Sequence, residues 1–129
     1  MRLEQSEYEE IGLFCDFFDK PNIKIIRSQP DGDNLINLWF CLIMEANICG
    51  DNGRLLITET VPYTPEIIAM ISGIPVSTVI LGLSLFEALD MIETQNDVIR
   101  LKHLETYQLF GPAIGIKEHE ITGRFQNDA

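Results

Sequence analysis

The sequence predicts one mainly α-helical domain with a small β wing. The chain has 129 residues, 46% of them are apolar, and apolar residues recur along it at helical spacing. This length and composition are typical of a single globular domain that encloses its own core. Beyond the helical region, two short β-prone runs flank a turn, which is the pattern of a hairpin.

The first half of the domain is predicted to hold an edge strand and two helices. Residues 11–14 are a short apolar run, and a helix begins near Asn22 after a turn. A longer helix follows the polar residues 31–33 and ends at Gly50. Its main apolar stripe should face the core and comprises Leu35, Leu38, Trp39, Leu42, Ile43 and Ala46. A second stripe of Ile36, Phe40 and Met44 lies beside it, which leaves Asn34, Asn37 and Glu45 to face water.

The second half is predicted to hold a helix-turn-helix and the wing. Residues 54–58 form a short strand, and Thr64 then caps a helix that has Pro65 at its first position and ends at Gly73. A further helix begins near Val76 after a short turn, and two helices joined in this way make a helix-turn-helix. Residues 91–94 and 98–101 flank a polar turn and form the hairpin. The prediction is therefore a winged helix-turn-helix over residues 11–107. Residues 1–10 are an N-terminal arm, and residues 108–129 are a C-terminal tail or a linker to a further region.

Charge and cysteine content limit the possible functions and locations. The chain has 9 basic and 20 acidic residues and a net charge of -11, so its surface as a whole repels phosphate backbones. Cys15, Cys41 and Cys49 have neither CxxC spacing nor neighbouring histidines, which argues against a disulfide framework or a zinc site and favours the cytoplasm.

The acidic residues 1–10 do not resemble a signal peptide. The uncharged residues 67–86 have the length of a membrane span, but Gly73 and Pro75 at their centre and the lack of flanking cations argue against one.

The sequence contains no motif that indicates catalysis. It lacks a phosphate-cradling GxxxxGK[ST] loop, an HExxH pair and a nucleophile elbow. His103 with Glu105, and His119 between two glutamates, offer too few converging donors for a metal ion. We therefore expect no enzymatic activity, no metal and no cofactor.

An ordered set of short stretches resembles the N-terminal domain of phage replisome organiser proteins, which is similar to the winged helix of DnaD-type primosome proteins. The stretches are Asp16-Phe17-Phe18 with Ile23-Lys24, the Trp39 helix that ends before Gly53, residues 62–69, and residues 79–83 leading to 89–93. The resemblance spans residues 11–107. It implies a role in the initiation of phage DNA replication, by binding origin DNA, by self-assembly or by recruiting helicase and loader proteins. It implies no enzymatic activity and no cofactor.

The second helix of the predicted helix-turn-helix lacks the side chains that read DNA in the major groove. No Lys or Arg occurs between positions 55 and 99. The outward positions of this helix are predicted to be Ser77, Thr78, Leu81, Ser84, Leu85 and Ala88. Its apolar members Leu81, Leu85 and Ala88 favour a protein partner, as does the stripe of Ile36, Phe40 and Met44. The alternative is that the C-terminal tail folds back over one of these faces.

Five basic residues are the candidate phosphate contacts. Lys20, Lys24 and Arg27 share one face of the first helix, and Arg100 and Lys102 alternate along the wing. The alternative is that these residues are ordinary solvated surface. The sequence therefore favours a homo-oligomer or a module that recruits replication proteins, with DNA contact supplied mainly by sequence beyond this segment. Direct binding of origin DNA by the first helix and the wing is the second hypothesis.

Overall fold

Four α-helices carry most of the core in the computed structural model, which describes residues 11–114. The helices are α1 (Pro21–Arg27), α2 (Gly32–Cys49), α3 (Pro65–Ser72) and α4 (Val76–Ala88). The strands are β1 (Gly12–Leu13), β2 (Leu56–Thr58), β3 (Val61–Pro62), β4 (Ile92–Gln95), β5 (Val98–Leu101) and β6 (Gln108–Phe110). The prediction of a mainly helical domain with a small β wing is confirmed.

Helix α2 is the central element, and α1 and α4 both pack against it. It ends where the sequence predicts, because Gly50 adopts a left-handed conformation (φ 62°) and its N–H donates to the Ala46 carbonyl. Every residue of the predicted main stripe is buried. The prediction that Glu45 faces water is wrong: its carboxylate is buried and accepts a hydrogen bond of 2.7 Å from the Tyr63 hydroxyl.

The wing is an antiparallel hairpin of β4 and β5, paired from Ile92↔Leu101 to Gln95↔Val98. The preceding segment 53–55 lies along β5, because the Leu55 N–H donates to the Ile99 carbonyl and the Leu101 N–H donates to the Gly53 carbonyl. The predicted strand 54–58 is thus divided between this segment and β2. Its first part joins the wing to the rest of the domain.

The folded unit continues past residue 107, where the sequence analysis places the end of the domain. Strand β6 pairs with β1 at the other end of the described chain. Gln108 and Ala113 are buried, and the side chain of Asn47 on α2 hydrogen-bonds to both. A boundary at 107 is therefore too early, because residues 108–114 contribute to the core. The predicted arm at 1–10 and the rest of the predicted tail, 115–129, lie outside the described residues.

Across residues 11–114, no single helix is long and apolar enough to cross a membrane. The apolar stretch found in the sequence is divided between α3 and α4, which are bent by 112° at the turn between them.

Candidate interaction surfaces

Helices α3 and α4 form a helix-turn-helix whose geometry follows from local sequence. The Thr64 hydroxyl accepts a hydrogen bond of 3.2 Å from the Ile67 N–H and so caps α3, with Pro65 at the first helical position. Gly73 ends α3 in a left-handed conformation (φ 75°). The bend of 112° lies within the range of about 90–120° for this motif. Helix α4 is therefore presented as the second helix of the motif.

The inner face of α4 lies very close to α2. Val79, Gly82 and Phe86 are buried. A Cβ atom added at Gly82 would lie 2.5 Å from Cδ2 of Leu38. Because glycine allows this close approach, the position of Gly82 sets which side of α4 faces outward.

The outer face of α4 consists of Ser77, Ile80, Leu81, Ser84 and Ala88, all of which are exposed. Its large apolar side chains are 59% exposed at Leu81 and 52% exposed at Ile80. Leu81 and Ala88 are exposed here as predicted, whereas the exposure of Ile80 was not predicted.

Leu85 and Thr78 depart from the predicted outward set. Leu85 is half-buried and packs against the core, so it is not an open interface residue. Thr78 is half-buried, and its hydroxyl donates to the Asp31 carboxylate at 3.4 Å. Ile80 is absent from the predicted outward set, and the close contact of Gly82 with α2 leaves it exposed.

A shallow depression beside the outer face carries negative charge. Ile80 and Ser84 line it together with Pro65 of α3, and Thr94 of the wing borders it. The Glu87 carboxylate also lines it. This surface therefore combines apolar side chains with a carboxylate that has no ion-pair partner among the described residues.

The second predicted stripe, on α2, is mostly covered by the same chain. Ile36 is only 7% exposed, so its prediction as an interface residue is wrong. Phe40 stacks on Phe17, with ring centroids 5.0 Å apart, and also meets the edge of Phe18. Only Met44 remains substantially open, at 42% exposure. Phe40 is covered from the N-terminal side of α1, and residues 115–129 of the predicted C-terminal tail lie outside the described residues.

The basic residues of α1 differ in their accessibility. Lys20 is half-buried, and its Nζ atom lies 3.9 Å from an Asp16 carboxylate oxygen. Lys24 and Arg27 are exposed on the same face. The Arg27 guanidinium lies 5.2 Å from the ring centroid of Phe18, which is itself 45% exposed. The open part of the predicted basic stripe is therefore Lys24 and Arg27.

Both basic residues of the wing are held by carboxylates. The Arg100 Nε atom lies 2.7 Å from Glu93, its cross-strand partner, and the Lys102 Nζ atom lies 2.6 Å from Asp90. Hydrogen bonds from Lys102 and then from His103 lower the pKa of the Asp90 carboxyl below its ordinary value. The charges of Arg100 and Lys102 are therefore largely offset within the wing.

A buried polar cluster between α2 and the start of α3 was not foreseen. The Tyr63 hydroxyl donates to Glu45 and lies 3.7 Å from the Cys49 sulfur. Burial, followed by the hydrogen bond to Glu45, raises the pKa of the Tyr63 hydroxyl well above its ordinary value. The sequence contains one signal for this contact: Glu45 is the only acidic residue within an apolar helix segment, and Tyr63 follows 18 residues later. Helical periodicity alone gives no reason to pair the two residues.

Among residues 11–114, no group of three or more His, Cys, Asp or Glu side chains is arranged to hold a metal ion. His103 instead contacts Asp90, with Nε2 3.0 Å from a carboxylate oxygen. His119 lies outside the described residues.

Comparison with known proteins yields one match. The model of the family described as N-terminal phage replisome organiser matches residues 11–121. Neither a curated protein nor a solved structure matches the chain. The family match covers most of the 129 residues and extends beyond the folded segment 108–114. The chain belongs to the N-terminal phage replisome organiser family.

Proposed function

We propose that this domain is a non-enzymatic protein-interaction module in phage DNA replication and that it acts chiefly by self-association through the outer face of α4. Replication proteins such as a helicase or its loader are the other partners of this surface. The observation that supports the proposal is the exposure of Ile80 and Leu81 on a helix-turn-helix surface without cations.

The apolar side chains on this face supply a driving force for association. Complete burial of a leucine or isoleucine side chain is worth about 1.5–3 kcal/mol. Ile80 and Leu81 are each more than half exposed, so covering them contributes about 1 kcal/mol apiece. Ser77 and Ser84, which are small and exposed, lie one turn before and one turn after them on α4.

Direct origin binding is the competing hypothesis, and the charges argue against it. Arg100 and Lys102 would have to exchange their carboxylate partners for phosphates. Lys24 and Arg27 remain available on α1, but two cations neutralise few phosphates. The net charge of -11 adds repulsion at longer range.

Sedimentation velocity of matched variants tests the proposal. Leu81→Gln and Met44→Gln each replace an exposed apolar side chain on a helix with the same good helix former. We expect Leu81→Gln to weaken self-association about fivefold, because a loss of about 1 kcal/mol is less than the roughly 1.4 kcal/mol that corresponds to a tenfold change in affinity. Met44→Gln should associate like the wild type. A wild-type chain that stays monomeric at high concentration would contradict self-association.

Fluorescence anisotropy with labelled duplex DNA at low salt separates the two hypotheses. The proposal predicts little binding. Tight binding that weakens steeply with salt, and that is lost when Lys24, Arg27, Arg100 and Lys102 are replaced by alanine, would instead support origin recognition.

A further inference from the structure

Two exposed surfaces of this domain have complementary chemistry. One is the α1 surface, which we define as Phe18, Lys24, Ile25 and Arg27. Its aromatic and aliphatic side chains are exposed, and its two cations lie beside them. Neither cation has a carboxylate within ion-pair distance among the described residues.

The other surface is the outer face of α4 with its neighbouring acidic groups. Glu87 lines the depression beside Ile80, and Glu66 follows Pro65, which borders the same depression. Both glutamates are exposed. This surface is thus apolar and acidic, whereas the α1 surface is apolar and basic.

The two surfaces lie on different helices, and residues beside them contact α2 at different positions around its axis. The α4 helix packs against Leu38 through Gly82, whereas Phe17, at the N-terminal side of α1, packs against Phe40. Positions two apart on an α-helix point about 200° apart around its axis. One molecule can therefore present its α1 surface to one neighbour and its α4 surface to another.

We infer that copies of this chain associate head to tail, with the α1 surface of one copy docked on the α4 outer face of the next. In this arrangement Lys24 and Arg27 face Glu66 and Glu87, and the apolar side chains of both surfaces are covered. The inference rests on the self-association proposed above and specifies what each copy contributes.

Charge favours this arrangement over a two-fold pairing of α4 with α4. In a two-fold interface the same patch meets itself. Glu66 and Glu87 would then approach their own copies, and like charges facing each other oppose association. Head-to-tail docking instead brings opposite charges together. Unless the assembly closes into a ring, head-to-tail docking leaves a free α1 surface at one end and a free α4 outer face at the other. Further copies can add there, so species larger than dimers form as the concentration rises.

Complementary charge reversal tests the arrangement. The Lys24→Glu/Arg27→Glu variant and the Glu66→Lys/Glu87→Lys variant each make both surfaces of a copy alike in charge. We expect either variant alone to associate at least tenfold more weakly than the wild type in sedimentation velocity at low salt. An equimolar mixture should recover near wild-type association, because unlike surfaces then alternate along the assembly.

Two controls make the result specific. Glu59→Lys/Glu105→Lys changes the net charge by the same amount and in the same direction as Glu66→Lys/Glu87→Lys, at exposed sites outside both surfaces, and should associate at least as well as the wild type. Lys24→Glu alone leaves the contact between Arg27 and Phe18 intact and should still weaken association. Weaker association of this variant could not then be attributed to loss of that contact. Circular dichroism melts verify that each variant is folded.

The outcomes separate this inference from the proposed function. If Leu81→Gln disrupts association but Lys24→Glu/Arg27→Glu does not, the head-to-tail arrangement is overturned and self-association through α4 stands. A mixture of the two reversed variants that fails to recover association also overturns it. A wild-type chain that stays monomeric would overturn both the head-to-tail arrangement and the proposed self-association.

Discussion

Replacing Asn47 and Gln108 singly and together measures how much free energy their hydrogen bonds contribute to the attachment of residues 108–114 to α2. The Asn47 amide donates to the Gln108 side-chain carbonyl at 3.0 Å, and the Gln108 amide donates back to Asn47 at 3.0 Å. Asn47 also donates to the Ile43 carbonyl and accepts from the Ala113 N–H. Both amides are buried, so a lost partner cannot simply be replaced by bulk water.

The expected magnitudes follow from these bonds. At about 1 kcal/mol for each hydrogen bond, Asn47→Ala removes four and should lower the free energy of unfolding by about 4 kcal/mol. Gln108→Ala loses the two shared bonds and should cost about 2 kcal/mol or more. Because both substitutions remove the same two bonds, the double variant should be more stable than the sum of the single losses predicts by about 2 kcal/mol.

Urea denaturation followed by circular dichroism provides the three differences in unfolding free energy. Asn37→Ala, at an exposed position of the same helix, should be nearly neutral and controls for the change of residue type. Additive effects of Asn47→Ala and Gln108→Ala, within about 0.5 kcal/mol, would refute the reasoning. Residues 108–114 would then behave as the loosely attached tail that the sequence suggested.

Two further predictions concern the wing. Because Lys102 and His103 lower the pKa of Asp90, its charged form stabilises the folded state at neutral pH, and this contribution is lost as the pH falls through the lowered pKa. Asp90 has a left-handed backbone conformation (φ 62°), which asparagine also tolerates. Asp90→Asn should therefore lower the urea midpoint of unfolding at about pH 7, and the difference should shrink as the pH falls below the ordinary pKa of an aspartate. Gly53→Ala should destabilise by more than about 1 kcal/mol, because φ is 88° and the new Cβ would lie 2.4 Å from a carbonyl oxygen of β5. Gly73→Ala, with a φ of 75° and no atom within 4 Å, should lower the free energy of unfolding only through backbone strain. If the two variants lose equal free energies of unfolding in urea melts, the clash inferred at Gly53 is contradicted.

Local signals explain the parts of the fold that the sequence predicts well. The Thr64 cap, Pro65 and the terminal glycines at 50 and 73 act within one helical turn, and the hairpin pairs residues only a few positions apart. Each of these interactions joins residues within a short stretch of sequence. The bounds of α2, α3 and the wing, and the start of α4, could therefore be read directly.

The missed features depend on residues far apart in the chain. Strand β6 pairs with β1 across almost the whole described chain, and Glu45 is buried because Tyr63 arrives from another element. The outward turn of Ile80 depends on the packing of Gly82 against α2. Hydropathy periodicity treats a glycine as neutral, so it cannot indicate that the closest helix contact occurs there. The predicted interface therefore contained Leu85 in place of Ile80.

The two hypotheses about this domain compete for the same side chains. Lys24 and Arg27 are the exposed cations of α1 without a carboxylate partner among the described residues, and head-to-tail docking would cover both. If they contacted phosphate instead, two neutralised charges would give a salt dependence with a slope of only about -1.8, which is shallow for a protein that binds DNA alone. One copy cannot use these cations for both purposes. An assembly built through the α1 surface therefore leaves DNA contact to its free end or to other parts of the protein, and this agrees with an α4 helix whose outer face carries leucine and isoleucine where a DNA-reading helix carries arginine and lysine.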